Sequence, residues 1–212
     1  MYFGQEWLLK LNSMWKIATP VQQAKESMQP LSLHDVPERP WQKVAMDIFT
    51  IKSRNYLVTV DYYSQFFEVD FLEHMRSDSV IHKLKANFAR HGIPDMLISD
   101  NGPQLVSQEF KKFCASWNIN HVTSSPGNSK ANGAAEAAVK IAKRMMKKCS
   151  FNQEDPYIAL LNLRYTHQEG VKCSPVQRPM GRRTKTLLPT KPQLLKPEYA
   201  QDYQEIQENK KS

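Results

Sequence analysis

Trp41-Gln42-Lys43-Val44-Ala45-Met46-Asp47-Ile48-Phe49-Thr50 is the stretch whose reading decides the fold. Val44, Met46 and Ile48 alternate with Ala45, Asp47 and Phe49, the period-two pattern of a strand inside a packed domain. Outward from it, residues 56–62 and 66–72 are further aromatic and β-branched runs, broken at residues 53–55 and 64–65, so three strands in a meander are expected. Ser77 is a plausible helix cap, and Val80, Ile81, Leu84 and Phe88 recur at helical spacing until His91, Gly92 and Pro94 stop the run. Residues 96–98 predict a short buried strand. Ser107 as a cap, followed by Phe110, Phe113, Cys114 and Trp117 at helical spacing, predicts a second helix, and residues 120–124 a fifth strand. A polar loop over 125–131 leads into a long Ala-, Lys- and Met-rich helix over 132–149, and Asp155 with Pro156 caps a last helix to about His167.

The order βββαβαβαα implies right-handed crossovers, which set the fourth and fifth strands parallel to the first. The expected fold class is therefore α/β, a mixed five-stranded sheet with helices on both faces. This core occupies residues 36–170. Residues 1–35 read as a short helix and linker interrupted by Pro20 and Pro30, residues 171–197 as a basic, Pro-rich extension, and residues 198–212 as a polar tail.

The chain has 212 residues, 41% of them hydrophobic and 24% charged, which is enough for a proper core and excludes a wholly disordered chain. Its 29 Lys and Arg against 21 Asp and Glu give a formal charge of +8, favouring a polyanionic partner, nucleic acid first. Cys114, Cys149 and Cys173 are the three cysteines, with no CxxC pair, so neither a disulfide framework nor a Cys-rich zinc site is expected, and a reducing, intracellular compartment is. The apolar runs are far short of the ~20 residues that span a bilayer, so no membrane partner is expected. The six histidines lack ligand spacing and read as surface or packing residues.

Three acids stand out. Asp47 lies within an apolar strand, where an ionised carboxylate needs a hydrogen bond, a basic partner or a cation. Asp100 ends the fourth strand at Ser99-Asp100-Asn101-Gly102-Pro103, at the carboxyl edge where open α/β sheets bind ligands, although an Asp before such a turn also bonds its own backbone. Glu136 lies in the first turn of the long helix, where the helix dipole alone would favour an acid. The topology makes the first strand a neighbour of the fourth, so Asp47, Asp100 and Glu136 can converge. Three such carboxylates suit a hard divalent cation, and two ions held ~3.5 to 4 Å apart can drive in-line phosphoryl transfer. Lys140 and Lys143 follow Glu136 at i+4 and i+7, on one helix face. The bland reading of that basic face is a solvated surface.

The flanking segments are more specific than the acids alone. They are Arg39-Pro40-Trp41 before Val44-Ala45-Met46-Asp47; residues 56–63 with Ser64; Phe88-Ala89-Arg90-His91-Gly92-Ile93-Pro94; Ser99-Asp100-Asn101-Gly102-Pro103-Gln104; Phe110; residues 121–126; Asn132-Gly133 with Glu136; and Met180-Gly181-Arg182-Arg183. In this order, over roughly residues 30–190, the sequence resembles the integrase catalytic core of retroviruses and LTR retrotransposons, the D,D-35-E group, and most closely that of gypsy-class elements. The 35 residues between Asp100 and Glu136 fit the group's name.

The resemblance implies a ribonuclease-H-like fold, with Asp47, Asp100 and Glu136 as catalytic acids holding Mg²⁺ or Mn²⁺. It implies polynucleotidyl transfer that joins element DNA ends to target DNA, a homo-oligomer and action in the nucleus. By the same resemblance Asn101 and Asn132 shape the loop beside the acids and, together with Lys140 and Lys143, are the expected DNA-binding residues. The family's N-terminal His2Cys2 zinc module is expected to be absent or eroded, since residues 1–113 contain no cysteine. The loop over 126–131 and Ala137 also depart from the family pattern. Two other readings stay open: a catalytically silent nucleic-acid-binding protein that keeps the fold, and a ribonuclease H acting on hybrids.

Overall fold

The computed structural model describes residues 37–124, 133–166 and 173–196. The readings for residues 1–35, the 125–131 loop, Asn132 and the 198–212 tail lie outside them.

Strands β1 (Lys43–Ile51), β2 (Arg54–Asp61) and β3 (Phe67–Leu72) form an antiparallel meander, and β4 (Met96–Ser99) and β5 (Asn120–Thr123) add parallel to β1. The sheet order is β3-β2-β1-β4-β5. The β1–β2 connection is a two-residue turn closed by Ile51 opposite Arg54, with Lys52 and Ser53 at φ 49° and 57°. Both angles are left-handed, the conformation whose twist matches a right-twisted hairpin. Neither residue is the Asn or Gly that adopts it easily, so the turn carries strain.

Helices α1 (Ser77–His91), α2 (Pro103–Val106) and α3 (Gln108–Ser116) follow β3 and β4, and α4 (Gly133–Asn152) and α5 (Pro156–Tyr165) follow β5. The alternation in β1 divides the core. Val44 and Met46 join Val80, Leu84 and Phe88 of α1 and Phe110 and Phe113 of α3 on one face. Ala45 and Phe49 join Ala135, Ala138, Val139, Ala142 and Met145 of α4 and Leu160 of α5 on the other. Helices thus cover both faces, and fully buried residues such as Phe110 and Met46 would each lose about 2 to 5 kcal/mol on truncation to Ala.

Two caps are as expected: Ser107 accepts from the Phe110 N–H and Asp155 from the Tyr157 N–H. Ser77 is different. Arg76 is the N-cap residue and makes no side-chain cap bond, while the Ser77 hydroxyl donates to the Gln104 carbonyl and so ties α1 to α2. The α2 turn itself has no expectation behind it, because four residues carry too little periodicity to register. Beyond Cys173, Ser174, Pro175 and Val176 are buried, with Val176 in the α1-side core, and Arg178 Nη1 donates to the Tyr63 carbonyl. Helix α6 (Gln177–Met180) and a 3-10 turn (Pro192–Leu195) follow. No helix among the described residues is long and apolar enough to cross a membrane.

Candidate active site

Asp47 belongs to the α4 face of β1, since its neighbours two residues either way, Ala45 and Phe49, lie in the α4-side core. The β1–β4 pairing runs Lys43 with Met96, Val44 with Leu97 and Ala45 with Ile98. Two residues further in the same register come Asp47 and Asp100, on the same face of adjacent strands, just where β4 ends. Strand neighbours lie ~4.8 Å apart in this direction.

The Asp100 segment is pinned from the sheet side. Ser99 is fully buried; its hydroxyl donates to the Asp100 carbonyl at 2.8 Å and meets His121 Nε2 at 2.9 Å. The Ser124 N–H and hydroxyl both donate to the Ser99 carbonyl, at 2.8 and 3.2 Å, and the Asn101 amide donates to the Ser124 carbonyl at 3.1 Å. Asp100 itself is exposed and accepts the Gly102 N–H at 3.1 Å. Burial, helped by the Lys111 charge, holds the His121 pKa below its ordinary 6.5, so the ring serves the Ser99 contact as a neutral group. Ser99, His121 and Ser124 are thus supports that a reading of acids alone overlooks. The signal available was Ser99 itself, a hydroxyl in an apolar strand immediately before a candidate acid.

Glu136 is brought in by small residues. Ala135, Ala138 and Ala142 lie buried against the sheet, and their lack of bulk lets the first turns of α4 sit close over β1 and β2. Glu136 and Lys140 are exposed and Lys143 is half-buried, its ammonium 5.6 Å from the centre of the Phe49 ring.

The electrostatics of Asp47 register all these neighbours. Burial raises its pKa above the ordinary 3.8, and the charges of Asp100 and then Glu136 raise it further, against the Ile48 N–H at 2.7 Å and the Lys143 charge, which lower it. Of the expected site residues the structure therefore sets Asp47, Asp100, Glu136 and Lys143 within electrostatic reach of one another. Asn101 stands beside Asp100 on the Ser124 side, and Lys140 lies one turn beyond Glu136. Among the described residues no three His, Cys, Asp or Glu side chains form a ready-made ligand cluster. The acids share a neighbourhood, with the Asp100 and Glu136 side chains exposed to solvent.

The donor set is carboxylate oxygen throughout, the chemistry of a hard divalent cation and not of zinc. The rise in the Asp47 pKa marks a place where added positive charge is favourable. The residues present fit such an ion.

Residues 37–129 match the integrase core domain family. Over 187 residues, 84% of the chain, the sequence is 34% identical to an uncharacterized protein of Caenorhabditis elegans, of which it spans 15%. It is 31% identical over 113 residues, 53% of the chain, to the Gag-Pro-Pol polyprotein of mouse mammary tumor virus, of which it spans 6%. The chain thus corresponds to a small part of these relatives. Its fold matches a chain of the simian T-cell lymphotropic virus intasome in complex with PP2A regulatory subunit B56 gamma, with a TM-score of 0.63 and 25% identity over 78% of this chain and 63% of that one. It also matches the HTLV-2 integrase catalytic core domain in complex with magnesium, with a TM-score of 0.56 and 23% identity over 67% and 98%. Motifs, sheet order and these likenesses agree: the chain carries an integrase catalytic core with the ribonuclease-H-like fold.

Proposed function

We propose that this core is a divalent-cation-dependent polynucleotidyl transferase that joins element DNA ends to target DNA, with Asp47, Asp100 and Glu136 as its catalytic acids. The observation that carries the reading is the state of Asp47. It is a half-buried carboxyl whose hydrogen bond is to the N–H of the next residue, and its pKa is raised by burial and by two further acids. A structural acid would be arranged to relieve that repulsion.

Asp47, Asp100 and Glu136 would hold Mg²⁺ or Mn²⁺, which supplies charge to activate an attacking oxygen and to stabilise a leaving one. The chain's own residues do the rest. Ser99, Ser124 and Asn101 fix the backbone that carries Asp100. The α4 alanines set Glu136 over the sheet. Lys140 and Lys143 neutralise DNA phosphates beside the acids, and Lys143 also lowers the Asp47 pKa, keeping that carboxylate ionised for ligation. By the resemblance, Asn132 belongs to the same proposal as a residue that shapes the surroundings of the acids. Action as a homo-oligomer and in the nucleus completes it.

The second reading, a silent nucleic-acid-binding protein, draws on the +8 charge and the five basic residues of α4, which bind phosphate whether or not bonds are cut. A branched DNA substrate with Mg²⁺ or Mn²⁺ separates the two. The transferase cleaves and rejoins it, and Asp47→Asn and Asp100→Asn abolish the reaction while DNA binding persists. A parent that binds the substrate at every cation concentration without cutting it, or variants as active as the parent, would overturn the assignment.

A further inference from the structure

The α4 helix carries more than the two lysines beside the acids. Between Gly133 and Asn152 its single acid is Glu136, against Lys140, Lys143, Arg144, Lys147 and Lys148. Glu136, Lys140, Lys143, Lys147 and Phe151 fall within an arc of about 80° on the helix surface, opposite the buried Ala138, Ala142, Met145 and Cys149. This stripe runs about 22 Å from the acid end to the last turn. There the pattern changes from charge to ring. Phe151 is 89% exposed and Tyr157, across the turn into α5, is 79% exposed, the two most exposed large apolar side chains among the described residues. Lys52 Nζ donates to the Ser150 hydroxyl, so the strained β1–β2 turn delivers one more cation beside Phe151. The acids at this end are Glu154 and Asp155. Asp155 is spent on capping α5, and Glu154 accepts from the Asn152 amide.

A solvated basic face explains the lysines but gives no reason for a phenylalanine in water at the end of their line. Regularly spaced cations ending on an exposed aromatic ring are the elements of single-strand binding: phosphates follow the cations, and a base stacks on the ring. We propose that the stripe Lys140, Lys143 and Lys147, ending on Phe151, is a track for an unpaired DNA strand leading away from the acids, with one base stacked on Phe151. The track rests on the proposed function for its direction and names a partner feature of that site, an unpaired extension of the bound DNA.

The test uses the full chain and two fluorescent probes of one sequence, a single strand and its blunt duplex, titrated by anisotropy. Phe151→Ala weakens single-strand binding about tenfold and leaves duplex binding within about twofold, and Phe151→Trp restores it. Lys147→Ala weakens single-strand binding and lowers the slope of log affinity against log salt by about 0.7. A Phe151→Ala variant that binds both probes like the parent, or loses both equally, overturns the track; an unchanged melting temperature excludes misfolding, as expected for so exposed a side chain. Cation-dependent cleavage of branched DNA, read in parallel, reports on the acids separately. Cleavage without ring-dependent binding removes the track and keeps the transferase, and ring-dependent binding without cleavage does the reverse.

Discussion

Asp47 and Asp61 stand on paired strands, three rungs apart and on opposite faces of the sheet, and Asp61 accepts four hydrogen bonds where Asp47 accepts one. Asp61 faces Val44 on the α1 side, fully buried, and accepts from the Trp41, Tyr63 and Ser64 N–H groups at 3.0 to 3.1 Å and from the Ser64 hydroxyl at 2.5 Å. Asp47 faces Val58 on the α4 side and takes one local N–H. The first acid holds the structure together and the second costs it stability. Asp61→Ala is expected to destabilise by about 3 kcal/mol, because it orphans several buried donors.

Asp47→Asn is expected to act in the opposite sense. A carboxyl whose folded pKa is raised gives stability that is complete below its unfolded value, near 3.8, and is lost as pH rises through the folded value. At neutral pH the Asn variant should therefore melt a few degrees higher than the parent, and the advantage should vanish in acid. Thermal denaturation at several pH values measures both. Equal melting temperatures at neutral pH would mean that Asp47 is already compensated.

These two acids also mark what a sequence can and cannot disclose. The alternation at residues 44–49 was enough to assign the two faces of β1, because each face meets a continuous apolar layer. The caps at Ser107 and Asp155 were legible because the donors they satisfy lie two or three residues away. Asp61 had a local signal, Ser64 three residues on, but its Trp41 partner arrives only through the fold. Lys143 over Phe49, Arg178 on Tyr63 and Val176 in the core are long-range meetings with no local trace. The acids were nameable from motif order and strand adjacency, whereas their support by Ser99 and His121 needed the β4–β5 register.

At the sheet edge, Glu68 joins His91 Nε2 at 2.8 Å and Arg164 Nη2 at 2.5 Å, and Arg164 also donates to the Phe67 carbonyl at 2.6 Å. Burial would raise the Glu68 pKa, but the His91 hydrogen bond and the Arg164 charge outweigh it and hold the value below 4.5. A lowered carboxyl gives stability that is present above 4.5 and is lost as pH falls through the folded value. Arg164→Met should cost about 3 kcal/mol at neutral pH, and less in acid, by urea denaturation. A cost that is constant down to acid pH would assign Arg164 a packing role alone.

Ser53 tests the turn. At φ 57° it pays for a left-handed backbone that glycine adopts freely, so Ser53→Gly should stabilise the chain by about 1 kcal/mol. A destabilised variant in chemical denaturation would show that the turn is relaxed as it stands.

Lys140 and Lys143 differ in surroundings, so their variants should differ in kind. Each Ala substitution should lower the salt slope of duplex DNA binding by about 0.9. Lys143→Ala alone should also raise the Asp47 pKa, since it removes a charge that lowers it. Carboxyl titration by NMR reads the second effect. Unchanged salt slopes would place both lysines on a solvated face, and an Asp47 that titrates in Lys143→Ala as in the parent would contradict the Lys143 contact.

Three acids sharing a cation are the centre of the proposed chemistry, and direct Mn²⁺ binding to the full chain, followed by electron paramagnetic resonance, tests it at the source. The expected result is saturable binding that Mg²⁺ competes away, and that Asp47→Asn, Asp100→Asn and Glu136→Gln each weaken by at least about tenfold, as loss of one charged ligand requires. Binding left intact by any one of the three substitutions would contradict it, because that acid would then stand outside the site.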